Sequence, residues 1–480
     1  MSLYRKILAL NQIEFVRHGK NYLAGNFMVQ GLAFVSIPIL TRMLNPDDYG
    51  MIAVFVSMVS IFLVLLSLNF QSSIGRKYYE KDESFGEFVF TNVRFISVFS
   101  LFLVGLCAIF SGVISEFFEA PREVLFLALG VSFFSIFSNM YMSYLQASQQ
   151  SRKYAVLAFI QAASILALTI SLLLFLADRL YLSKMLAQLS VVIVLALYSL
   201  VQLRKLMKPK WDLTQVKYAL HLGVPLIPHT LSGFLLSSSD RIIINQLTSA
   251  AQTGLYSLAY NVGSLLMIII GGLNNAWVPI LFRNLNEGKY EEIQRKSDLY
   301  ALVIIAVAFG LSLFAREVVV VMASPKYYGA LAIIPVIVLG SVFIFLYQLC
   351  VNYTFYHKKN IFISINTMTC GGINIGLNYL FIPRYGYMAA AWTTLASYLL
   401  LFIMNYFTAA KLMKGNMMKF GFKLTLLGAT VLFYFACAAV LSLTPEWYLA
   451  ILVKGLAFGV YALLMYGVVR SYSRHRIFHF

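Results

Sequence analysis

The run Ser237-Ser238-Ser239-Asp240-Arg241 sets a carboxylate beside a guanidinium within an otherwise apolar stretch, residues 220–246. At the centre of a bilayer a charge costs about 2.5 to 3.5 kcal/mol on insertion scales, so such a group must meet a partner, water or a substrate. Arg241 suits an anionic substrate, and Asp240 can exchange a proton. Neighbouring helical residues point about 100° apart, so the two also fit separate structural contacts with different helices. The same stretch opens with Gly223, Pro225, Pro228, His229, Ser232 and Gly233. Its prolines remove backbone donors and invite a bend, and a bent helix beside a hydrated lumen is a recurring transporter feature.

Other polar groups recur on particular stretches. Asn26 and Gln30, four residues apart, share one helical face of residues 22–43, with Thr41 near that stripe and Arg42 at its far end. The stripe faces a lumen or hydrogen-bonds to a neighbouring helix, and Arg42 can also snorkel to the interface beside Asp47 and Asp48. Residues 254–281 add Asn261, Ser264, Asn274 and Asn275, and residues 361–381 add Asn366, Asn374 and Asn378. Neutral amides in such number suit a sugar, although helix packing uses them too. Arg94 and Lys454 lie inside apolar stretches with no acid nearby in sequence, and Asp240 is the one acid clearly within a stretch. The candidate substrate-binding set is therefore Asn26, Gln30, Arg42, Arg94, Asp240, Arg241, Asn275, Asn374 and Lys454. No catalytic residue, metal-ligand spacing or cofactor motif accompanies it; Cys107, Cys350, Cys370 and Cys437 all sit singly in apolar runs.

The elements that position these groups are membrane helices. Apolar residues make up 60% of the chain and charged ones 12%, too few to cover a water-facing surface. Apolar stretches near 20 residues recur throughout, the length that crosses roughly 30 Å of hydrocarbon. Fourteen spans are expected, at 22–43, 49–69, 92–113, 124–145, 154–176, 182–202, 220–246, 254–281, 299–321, 331–353, 361–381, 388–409, 420–443 and 447–468. With the N-terminus cytoplasmic, 27 of the 37 basic residues fall on the cytoplasmic side, counting connectors together with the adjoining ends of the spans, and 8 on the opposite side. That bias orients the chain with both termini cytoplasmic. The net charge of +18 thus reflects topology and attraction to anionic lipid rather than nucleic-acid binding. The first run is too long for a signal-peptide core, and the connectors are too short for a catalytic or nucleotide-binding domain.

A weak internal repeat offsets Gly50 to Gly254 and Lys153 to Asn360. Because an even number of spans separates the copies, the halves are parallel. The expected organisation is a cytoplasmic segment at 1–21, six-helix lobes at 22–203 and 220–410 joined by a cytoplasmic linker at 204–219, and two further helices with a tail at 411–480.

The sequence Ile37-Pro38-Ile39-Leu40-Thr41-Arg42-Met43-Leu44-Asn45-Pro46-Asp47-Asp48-Tyr49-Gly50 resembles the first-helix exit of bacterial Wzx-type polysaccharide flippases, in the multidrug/oligosaccharidyl-lipid/polysaccharide exporter superfamily. Gly223-Val224-Pro225-Leu226-Ile227-Pro228, Asp240-Arg241-Ile242-Ile243-Ile244 and Thr253-Gly254-Leu255-Tyr256 resemble the start of that family's second half. The resemblance spans essentially the whole chain and implies two lobes around a central cationic cavity, alternating access, and location in the bacterial cytoplasmic membrane. Its implied cargo is a polyprenyl-pyrophosphate-linked oligosaccharide, such as an O-antigen, capsule or exopolysaccharide repeat unit, moved from inner to outer leaflet. H+ or Na+ as coupling ion, membrane lipid, and polysaccharide polymerase and chain-length proteins are the partners it implies. The matched charged positions are Arg42, Asp240 and Arg241.

Two rivals remain from the residues. A drug/cation antiporter of the same superfamily would use buried carboxylates, against which one intramembrane acid among several bases argues. A membrane glycosyltransferase or polymerase would use an acidic pair such as Asp47-Asp48, but that loop is only a few residues long and no large external loop is present to hold an acceptor.

Overall fold

A backbone in hydrocarbon must satisfy its hydrogen bonds within its own segment, which leaves helices for long continuous apolar runs. In the computed structural model, which describes residues 25, 27–80, 83–442 and 447–475, every regular element is helical. The helices are α1 (Phe27–Met43), α2 (Pro46–Ser67), α3 (Phe70–Tyr79), α4 (Phe85–Ile109), α5 (Ser111–Phe117), α6 (Arg122–Ala147), α7 (Ser151–Phe175), α8 (Tyr181–Arg204), α9 (Leu213–Gly223) and α10 (Ile227–Leu247). There follow α11 (Ala250–Asn286), α12 (Tyr290–Leu313), α13 (Ala315–Met322), α14 (Ile334–Tyr356), α15 (Asn360–Tyr385), α16 (Tyr387–Met413), α17 (Gly421–Ser442) and α18 (Trp447–His475).

Eleven described helices are long and apolar enough to cross a membrane, and the bent pair Leu213–Leu226 and Thr230–Leu247 makes a twelfth candidate. Helix also occupies the other two expected positions. At the first, α1 is a shorter apolar helix of the described residues. At the eleventh, α15 carries Asn366, Asn374 and Asn378, whose amides lower its apolarity.

The chain divides by packing into two units, Met1–Ser257 and Leu258–Phe480. In the first, α6 packs on α2, α3 and α8, α9 lies on α3 and α4, and α10 lies on α2. This packing places α9 and α10 with the N-terminal helices, beyond the expected linker at 204–219. In the second, α14 packs on α16, α16 on α15, and α12 on both α14 and α17. Of the spans, α2, α6 and α14 are the most enclosed, whereas α7 and α18 keep apolar side chains such as Phe175 and Leu456 exposed, as lipid-facing helices do.

A candidate translocation site on a broken helix

The linker before α9 is docked rather than loose. The Lys208 amide donates to the Gly86 carbonyl at 3.0 Å and the Thr91 hydroxyl donates to the Lys210 carbonyl at 3.2 Å. The Asp212 side chain accepts from the Thr214 amide at 2.8 Å and so caps α9. Hydrogen bonds from the Thr214 hydroxyl and amide hold the Asp212 carboxyl below its usual range. Farther along α9, the Tyr218 hydroxyl donates to Glu80 at 2.5 Å, and Lys77 pairs with the same carboxylate at 3.1 Å.

The break between α9 and α10 meets a second break. Val224–Leu226 form a short tight turn of helix containing Pro225, and Pro228 follows at the start of α10. Across from it, Leu68 and Asn69 separate α2 from α3 with φ of 46° and 55°, a left-handed conformation. A Cβ on Gly223 would stand 2.3 Å from the Leu68 carbonyl oxygen, so only glycine permits this approach. The Asn69 amide reaches Thr230 of α10 at 3.4 Å.

Beyond the break, α10 has two distinct faces. Thr230 and Gly233 are open and Ser237 and Arg241 are half-buried, a polar line at helical spacing. Ser232, Leu236, Asp240 and Ile243 form the buried face. Asp240 is wholly buried and accepts a hydrogen bond from the Tyr256 hydroxyl of α11. Arg241, half-buried, donates from Nη1 to the Ser237 carbonyl at 3.2 Å. The helix ends where the Asn245 amide donates to the carbonyls of Phe118 at 3.0 Å and Glu119 at 2.9 Å, clipping α10 to the end of α5. A polar helix face, beside a buried carboxylate held by Tyr256, can receive hydroxyl and anionic groups without breaking the packing behind it.

The other expected residues are dispersed. Gln30 and Arg42 are exposed on α1, with Arg42 Nη1 3.4 Å from the Pro38 carbonyl. Asn26 and the side chain of His229 lie outside the described residues. Arg94 stacks on Phe90, 4.4 Å from its ring centroid, and shares an exposed face of α4 with Val98, Leu101 and Phe102. Asn275 is exposed on α11. Asn374 is fully buried between α15 and α16, where it donates to Thr394 at 3.3 Å and accepts from Asn378 at 3.2 Å.

Lys454 on α18 donates to both oxygens of Glu317 on α13 at 2.8 Å. Glu317 thereby joins Asp240 as an acid within an expected span. Sequence proximity could not pair residues on different helices, but Glu317 inside the run 299–321 was the available signal. A second pair, Lys423 with Asp298 at 2.5 Å, is buried at the junction of α17 and α12. Tyr256, the seventh residue of α11, closes the matched run Thr253-Gly254-Leu255-Tyr256, but nothing in the sequence paired it with Asp240.

A family model described as "Polysaccharide biosynthesis protein" matches residues 39–332. Among curated relatives, "Lsg locus putative protein 1" of Haemophilus influenzae is 27% identical, covering 72% of this chain and 85% of that protein. An "Uncharacterized membrane protein" of the same organism is 26% identical over 76% of this chain and 89% of its own length. Among solved structures, the lipid II flippase MurJ in an inward closed conformation superposes with a TM-score of 0.71 at 15% identity, covering 93% of this chain and 99% of that one. An inward-facing multidrug resistance MATE family transporter of the MOP superfamily gives 0.64 at 15% identity, covering 81% and 95%. The fold is therefore the one shared by these transporters, and neither structure is of an enzyme.

Proposed function

This chain belongs to the polysaccharide biosynthesis protein family, and from that premise we propose that it flips a polyprenyl-pyrophosphate-linked oligosaccharide from the inner to the outer leaflet of the bacterial cytoplasmic membrane. The observation that carries the reading is the polar line Thr230, Gly233, Ser237 and Arg241, open at its first two members and half-buried at its last two, on a helix broken at Gly223 and Pro225. Sugars need many neutral hydrogen bonds and pyrophosphate needs a cation, while the polyprenyl tail stays in lipid. A named lipid II flippase with the same fold supports a lipid-linked cargo.

In this mechanism Arg241 receives the pyrophosphate, and Arg42 offers a second cation at the exit of α1. The bend at Gly223 absorbs the change between inward and outward states of alternating access. Asp240 couples H+ to the cycle by releasing or holding Tyr256, with Na+ the other candidate ion. An O-antigen, capsule or exopolysaccharide repeat unit is the cargo, delivered to polymerase and chain-length proteins, with both termini cytoplasmic. Gln30 and Asn275 offer neutral hydrogen bonds from open helix faces.

Reconstituted protein tests this directly. In proteoliposomes carrying a fluorescent polyprenyl-pyrophosphate oligosaccharide, Arg241→Gln slows flipping about tenfold or more, as loss of a charge-assisted contact of about 1.5–3 kcal/mol implies. Arg241→Gln protein flipping at the wild-type rate sinks the assignment. Asp240→Asn protein that keeps both the rate and the pH dependence removes Asp240 from coupling.

A further inference from the structure

Two cavities adjoin within the second unit. One, of about 260 Å³, lies among α12, α14 and α17 and is walled by apolar side chains including Ile305, Phe309, Leu427 and Val431. The other, of about 300 Å³, is lined by Arg316 and Lys454 together with Leu331, Ala438 and Leu441. Ser312, Pro335 and Tyr434 line both, so the apolar cavity runs into a cationic mouth. The groove thus has an apolar length and a charged end, the pattern of an amphiphile.

The charges define which amphiphile. The mouth's charged lining groups are both cations, and Glu317 offsets Lys454 by accepting from its ammonium at 2.8 Å. Arg316 is exposed and has no hydrogen-bond or ion-pair partner among the described residues. Arg316, Lys454 and Glu317 together leave one net positive charge, which a phosphodiester neutralises and a pyrophosphate would exceed. An arginine offers two parallel donors to a phosphate oxygen pair. Tyr434, half-buried and also without a hydrogen-bond partner among the described residues, lines both cavities and carries a hydroxyl that can donate to an ester oxygen.

We propose that this groove binds an anionic phospholipid, with its phosphodiester on Arg316 and Lys454 and one acyl chain along the apolar cavity. The lipid joins α12, α13 and α14 to the C-terminal helices α17 and α18, all within the second unit.

Native mass spectrometry of the purified full-length protein tests it, with palmitoyl-oleoyl phosphatidylglycerol, the matching phosphatidylcholine and undecaprenyl pyrophosphate as probes. Wild type retains one phosphatidylglycerol in preference to phosphatidylcholine. Arg316→Gln weakens that retention about fivefold, the effect of one basic group near a lipid surface, and Arg316→Lys restores most of it. Val431→Trp, which fills the apolar cavity, also expels the lipid. Melting without added lipid distinguishes a lost ligand from a lost fold, and the exposed Arg316 pair of variants decides the matter if Val431→Trp unfolds. Equal retention by Arg316→Gln, equal binding of phosphatidylcholine, or displacement of phosphatidylglycerol by undecaprenyl pyrophosphate at equal concentration overturns the proposal.

Discussion

Gly50 and Gly254 each lack a side chain where the other's helix passes. A Cβ on Gly50 would lie 1.8 Å from the Ala250 carbonyl oxygen, and one on Gly254 would lie 2.0 Å from the Pro46 carbonyl oxygen. Each carbonyl belongs to the residue four before the opposite glycine, so the contact is reciprocal. The two glycines that mark the sequence repeat thus hold the starts of α2 and α11 together, backbone against backbone. Small residues serve this purpose in membranes, where close packing replaces the hydrophobic drive between helices.

Gly50→Ala and Gly254→Ala are each expected to lower stability by about 1–3 kcal/mol, because overpacking here pushes on backbone that cannot rotate away. Gly75→Ala, where a Cβ meets open space within α3, is expected to be neutral or to stabilise by about 0.5–1 kcal/mol. Thermal unfolding in detergent micelles compares the three; loss of the opposite signs would remove the crossing as a packing constraint.

Asp240 and Tyr256 make a second comparison. Asp240→Leu leaves the buried Tyr256 hydroxyl without this acceptor, at a cost of about 1–3 kcal/mol, whereas Asp240→Asn retains an acceptor oxygen and costs less. Equal melting of the two variants would show that the hydrogen bond contributes nothing to stability.

The pair Lys423 and Asp298 is buried, and Gln294 also donates to both Asp298 oxygens at 2.9 Å. Removing one partner strands a charge, so Lys423→Ala or Asp298→Ala costs about 3–5 kcal/mol. The joint change Lys423→Met with Asp298→Leu removes both charges and is expected to recover most of that loss. A double-mutant cycle on unfolding measures it, and additive losses would refute a coupled pair.

Glu80 supplies a pH dependence outside the membrane. The hydrogen bond from Tyr218 first, then Lys77, holds its carboxyl below the ordinary range. A lowered folded-state pKa adds stability that is present above the ordinary carboxylate pKa and is lost as pH falls through the folded value. Protection of the α9 amides, after correction for the intrinsic pH dependence of exchange, should therefore fall on acidification in wild type and lose that change in Glu80→Gln. Unchanged pH response in Glu80→Gln would assign the effect elsewhere.

Some of this was legible in the residues alone. Runs near 20 apolar residues must become helices in a bilayer, so helix type and position along the chain followed from composition and spacing. Pro225, Pro228 and Gly223 announced the break before α10, because proline's missing donor and glycine's missing Cβ act locally. The repeat marked Gly50 and Gly254. Partnership was another matter. Lys454 has no acid near it in sequence because Glu317 is 137 residues away, and Arg94, counted among lumen-facing charges, lies on an exposed face of α4 over Phe90. Asn374 suited a sugar until α16 brought Thr394 to it. Whether a polar group in a membrane helix is satisfied, exposed or free for a ligand depends on which face a neighbouring helix covers, and that is decided by tertiary packing rather than by spacing along one segment.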